Sequence, residues 1–153
     1  MATYTPERVE TFDHGVTSEY YEGEQIVVFR LPDYEDATVN AWGERLIENL
    51  KQRDPLKPLY LVLVLEEKLE MKPTRMRDWA GVIIETCKGI PKTHIALVID
   101  QPLIAQIASA FTSALFLRSS HKIDMKVMAK FPDAIEWQLK NMAMNSRSAQ
   151  RSS

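Results

Sequence analysis

The residues able to do chemistry are few in this chain, and they stand far apart. Its single cysteine, Cys87, has neither histidine nor aspartate beside it and falls in register with Met76, Trp79 and Ile83. That register predicts a buried, inert thiol rather than a nucleophile. His14, His94 and His121 are widely separated, and none has the His-x3-His type of spacing that gathers ligands around zinc. The pair Glu66-Glu67 would suit acid/base work, but adjacent residues leaving a strand point to opposite sides and cannot share one substrate. Five glycines in 153 residues leave no dinucleotide fingerprint and no phosphate-binding loop. The expectation is therefore a chain that is not an enzyme, with no cofactor and no metal site.

One segment gathers charge where open α/β sheets place their ligands. Glu66 to Arg77 leaves the carboxyl end of an apolar strand. It brings Lys72, Arg75 and Arg77 to the start of a helix, whose free backbone N–H groups favour anions. Glu66, Glu67, Glu70 and Asp78 neutralise much of that field. A small-ligand reading would place an anion or a lipid head group near Lys72, Arg75 and Arg77 and the strand ends Glu66 and Asp100.

The elements that must position these groups follow from periodicity. Val16–Tyr21 and Gln25–Leu31 are β-prone runs around Glu22-Gly23-Glu24, which reads as a hairpin. Val39, Trp42, Leu46 and Leu50 share one face of a helix between Tyr34 and Gln52; Gly43 inside it suggests a close approach, the sheet being one surface it could approach. Leu59–Leu65 is seven apolar residues without alternation, the pattern of a strand buried on both faces. Thr74 is placed to cap the next helix, and Gly89 to end it in the left-handed conformation. His94–Ile99 reads as a second buried strand, and residues 102–117 as a helix. Ile123–Met128 alternates like a half-buried edge strand, and a last helix runs from about Pro132 to Met144. Residues 1–12 read as a flexible lead-in and 145–153 as a disordered Ser/Arg tail, leaving a domain over 13–144.

The order β-β-α-β-α-β-α-β-α predicts a single α/β domain. Its sheet should be mixed, mostly parallel and five-stranded, with an N-terminal hairpin and about four helices. The composition, 45% hydrophobic and 26% charged, is that of a globular chain. A formal charge of −2 argues against a nucleic-acid partner. The longest apolar run, 102–117, is too short and too polar for a bilayer span, so no membrane insertion is expected. One cysteine and no leader-like start point to the cytoplasm. Leu103, Phe116 and Leu117 lie outside the inner stripe of 102–117, as on a helix that is covered by another element or that associates with a partner or a second copy; a homodimer therefore stays open.

The hairpin, the strand Leu59–Leu65, a helix starting near Thr74, the strand His94–Ile99 and the closing Phe131-Pro132-Asp133-Ala134-Ile135-Glu136-Trp137 resemble the STAS domain. That is the fold of bacterial anti-sigma factor antagonists. More narrowly, the chain is similar to uncharacterised bacterial STAS-like proteins. The resemblance covers about Val16 to Met142 and implies a non-enzymatic regulatory module that docks a protein partner. It also implies a phosphorylation switch at the start of the helix after the central strand. Here the Asp-Ser pair of the antagonists is missing, and Thr74 is the one hydroxyl in the matching stretch. The implied interaction surface is Glu66, Glu67, Met71, Lys72, Thr74, Arg75, Met76 and Arg77.

Overall fold

A computed structural model describes residues 4–66, 73–99 and 123–152, with side chains for 4–66, 78–99 and 123–147. Six strands form one sheet: β1 (Arg8–Thr11), β2 (Thr17–Tyr21), β3 (Ile26–Leu31), β4 (Leu59–Leu65), β5 (Thr93–Ile99) and β6 (Ile123–Met128). They lie side by side in chain order. β1, β2 and β3 pair antiparallel, whereas β3 to β6 are parallel. Three α-helices are described: α1 (Asp36–Gln52), α2 (Pro73–Cys87) and α3 (Phe131–Ser152). The helix expected over 102–117, and with it His121 and Asp100, lies outside the described residues.

Parallel neighbours in chain order advance the sheet in one direction, so right-handed crossovers all pass over the same face. α1 and α2 accordingly share one core. Trp42, Leu46 and Leu50 of α1 join Ala80, Ile83, Ile84 and Cys87 of α2 over Val27, Phe29, Leu61, Leu63, Ile95 and Leu97. α3 follows the last strand, is not a crossover, and covers the opposite face. There Ala134 and Ile135 meet Ile26, Val28, Val62, Val64, Ala96 and Val98. All seven residues of β4 and all seven of β5 are buried, as their unalternating apolar sequences require. β6 alternates half-buried and exposed at one edge of the sheet.

Several expectations are corrected. The sheet has six strands rather than five, because Arg8–Thr11 pairs with β2 where a flexible lead-in was expected. β1 is a short edge strand exposed at three of its four positions, so it carries no hydrophobic alternation to betray it. α3 continues as helix to Ser152 through the expected tail. α2 begins at Pro73, where a missing N–H costs nothing, so Thr74 lies inside the first turn rather than at the cap. Gly89 is not in the left-handed region; tight turns from Lys88 N to Glu85 O (3.3 Å) and Ile90 N to Cys87 O (3.0 Å) close the helix instead.

Gly43 does mark a close approach, but the neighbour is α2 and not the sheet. A Cβ on Gly43 would lie 2.3 Å from the Trp79 indole. Replacing Gly43 by Ala recovers about 1 kcal/mol of helix propensity. Against that, overpacking in a filled core costs about 1–3 kcal/mol. Gly43→Ala is therefore expected to destabilise the protein, read as a lower urea midpoint with an unchanged slope. Trp79→Leu in the same chain should reverse part of that loss.

Among the described residues, no helix is long and apolar enough to cross a membrane.

Candidate functional site

The parallel register brings three polar side chains into one row. Tyr60, His94 and Asp124 are each the second residue of their strand and are paired across β4, β5 and β6. Their side chains point to the face that α3 covers, at the amino-terminal end of the sheet. The His94 ring stacks on Tyr60 with centroids 5.5 Å apart and meets Trp137 of α3 edge-on at 6.1 Å.

Hydrogen bonds fix the protonation of this row. Lys92 Nζ donates to Asn145 Oδ1 at 3.2 Å, which turns the Asn145 amide nitrogen inward. That nitrogen donates to Tyr60 Oη at 2.9 Å and faces His94 Nε2 at 3.0 Å. Nε2 must then accept, so the proton sits on Nδ1 and is directed at Asp124 Oδ2, 3.3 Å away. Burial lowers the His94 pKa; Asp124 acts against that shift and Lys92 with it. Both ring nitrogens are engaged, and the imidazole is held neutral by its surroundings. Beneath it, the fully buried Gln138 amide donates to the main-chain oxygens of Leu61 and His94, both at 2.9 Å. This cluster latches α3 onto the ends of three strands.

Tyr60 and Asn145 also form part of the wall of a cleft of about 910 Å³ at the same end of the molecule. The turn between β2 and β3, the last turns of α1 and the connection from α1 to β4 complete it. Most of its charge is internally satisfied. Arg8 bonds Glu10 (2.7 Å) and Glu24 (2.8 Å) and lies over the Tyr20 ring, and Arg45 bonds Glu48 (3.1 Å). Arg53 is different: its guanidinium donates to the carbonyls of Lys57 (3.1 Å) and Pro58 (2.7 Å).

Of the residues expected to form a site at the opposite end, only Glu66 has a described side chain. It accepts from Arg30 at 3.1 Å, and Arg30 also binds Glu19 at 2.8 Å and lies over the Phe131 ring. Glu66 thus anchors the start of the loop. Glu67, Met71 and Lys72 lie outside the described residues. Thr74, Arg75, Met76 and Arg77 are placed only as backbone of the first turns of α2. Cys87 is buried beside Thr93, and burial pushes its thiol up to about 11. His14 sits in a short turn at a positive φ of 63° and joins no cluster in the described structure. Among the described residues, no three His, Cys, Asp or Glu side chains gather to hold a metal.

The polar row was missed from sequence because Tyr60 and His94 look like ordinary members of apolar strands. The available signal was their shared second position, together with Asn145 at the end of the last helix.

Two outcomes follow. A histidine whose folded pKa lies below its ordinary value of 6.5 contributes stability that is complete above that value. The contribution is lost as pH falls through the folded value. Urea unfolding should therefore show wild type losing stability between pH 7.5 and 5.5, and His94→Gln should lower stability at pH 7.5 while reducing that loss. Separately, Cys87 should resist a disulfide-exchange reagent at pH 7.5 in the folded protein and react at once in 6 M guanidinium chloride.

No family model, curated protein or solved structure matches the chain.

Proposed function

We propose that this chain is a non-enzymatic regulatory module of STAS-like fold that works in the cytoplasm by docking another protein. The observation that carries the reading is the element order. A hairpin leads into a parallel sheet laid down in chain order, and β6 is followed by a helix from Phe131 that closes the far face. Further support comes from His94, whose two ring nitrogens are both occupied, one by Asp124 of β6 and the other by Asn145 of α3. The docking surface in this reading includes the start of α2, from Glu66 to Arg77.

Affinity capture from the source cell, with crosslinks mapped to the chain, tests the reading. A stoichiometric partner crosslinked to the folded domain is expected, and its absence would count against docking as the function. Thr74→Glu places a negative charge in the first turn of α2, where the helix dipole tolerates it. Partner binding should weaken while the melting temperature stays within a few degrees. Lost binding in Thr74→Ala as well would remove the switch and leave the docking.

The cleft favours a second reading, a small-ligand binder, because 910 Å³ falls in the range of ligand pockets. Native mass spectrometry of freshly purified protein separates the two. A retained small molecule supports this second reading, and a clean apo mass with no thermal shift across phosphorylated metabolites removes it.

A further inference from the structure

Two connections meet at the amino-terminal end of the sheet. The first, Arg53-Asp54-Pro55-Leu56-Lys57-Pro58, joins α1 to β4. The second, Lys88-Gly89-Ile90-Pro91-Lys92, joins α2 to β5. They lie side by side where the first residue of β4 meets the second connection, Leu59 N donating to Lys92 O at 2.8 Å. With Lys51 in the last turn of α1 they carry five cations, Lys51, Arg53, Lys57, Lys88 and Lys92, and the connections hold one carboxylate, Asp54. Asp54 is occupied in its own turn, accepting from Leu56 N at 3.0 Å. Lys88 is paired with Glu85 at 3.2 Å. Among the described residues, the other four cations form no ion pair.

The first connection is also braced. Pro55 and Pro58 stiffen it, the Asp54 turn fixes its tip, and Arg53 clamps the carbonyls of Lys57 and Pro58. At that tip Leu56 is 83% exposed. A lone exposed leucine is ordinary. Here it is held on a rigid turn amid unpaired cations, which lowers the entropy lost on contact with a partner. Arg53, Lys57 and Pro58 also line the cleft.

We propose that this end of the sheet docks an acidic polypeptide segment carrying an apolar side chain. The segment lies across the two connections at the rim of the cleft, its carboxylates meet Lys51, Arg53, Lys57 and Lys92, and its apolar side chain packs on Leu56. The excess of cations lies along the connections and not in the cleft, whose lining balances Arg8, Arg45, Arg53 and Lys57 against Glu10, Glu24, Glu48 and Asp54. That excess selects an acidic partner, and the concave rim suits an extended chain rather than a flat bilayer. The proposal rests on the docking reading above and names the chemistry of the partner.

The test uses the full chain as bait for a random dodecapeptide display library, with vesicles containing 30% phosphatidylserine in parallel. Selected peptides should be rich in Asp and Glu around one Leu, Ile, Met or Phe. Their affinity should fall at least about tenfold in Leu56→Ser and in Lys51→Glu/Lys57→Glu, as expected for hot-spot contacts. These positions are exposed, so the variants should keep wild-type melting temperatures. Peptides without acidic enrichment, or insensitive to both variants, would overturn the proposal. So would an empty selection with vesicle binding that depends on Leu56, which would assign the surface to a membrane. A cellular partner that crosslinks elsewhere on the domain while the selection fails would sink this inference and leave the docking function standing.

Discussion

Everything in this molecule depends on two strands that cannot face water on either side. β4 and β5 bury all fourteen of their residues, and even Thr93 and His94 are enclosed. Each fully buried Leu, Ile or Val contributes about 1.5–3 kcal/mol relative to exposure, so leaving one face open would cost more than the net stability of a typical domain. Both faces must be covered. α1 and α2 supply cover on one side only, because parallel strands added in order place right-handed crossovers on the same face. The other face falls to α3, which leaves the edge strand β6 and folds back over the sheet.

That division explains where specific contacts are concentrated. α1 and α2 are held by the connections at both ends and by close apolar packing, with Gly43 admitting the Trp79 ring. α3 follows the edge strand β6, and its position is set by side chains. Ala134 and Ile135 bury its first turn, Gln138 reaches main-chain oxygens of two strands, and Asn145 closes on Tyr60, His94 and Lys92. A row of polar groups at the ends of apolar strands is costly unless every member is paired, and this row is paired. It acts first as a latch, and the burial that comes with it is what lowers the His94 pKa.

The sequence made the central strands, α1, the hairpin and the edge character of β6 legible because each has a clear apolar period. Leu59–Leu65 is the plainest case: its expected limits and those observed coincide. β1 was illegible because an exposed four-residue edge strand needs no apolar face, and its pairing with β2 is set by the chain reversal at Asp13–Gly15. The last turns of α3 were hidden by a Ser/Arg composition that reads as a tail, although Asn145 and the helix formers around it sustain the helix. The site was the least legible part. Local sequence singles out charge in a loop, as in Glu66–Arg77, whereas Tyr60, His94, Asp124 and Asn145 are joined only by register and by the return of α3.

Helix polarity bears on the meaning of the amino-terminal end. Each described helix runs back against the strand it follows, so α1, α2 and α3 all point their carboxyl ends at that end of the sheet. Three helix dipoles place about half a negative charge each there. Lys51, Arg53, Lys88 and Arg147, in or beside the final turns, answer those dipoles directly. Lys57 and Lys92 stand further along the connections, more than one turn past the helix ends, where the dipole has fallen away. Their charge is in excess of what the helices require. Lys92 is drawn partly into the latch by Asn145, and Arg53 is fixed by carbonyl groups that do not neutralise it. What is left over is a positive rim with an apolar tip beside an open cleft. That is an arrangement the fold tolerates but does not need, and a requirement outside the fold is the economical reason for it.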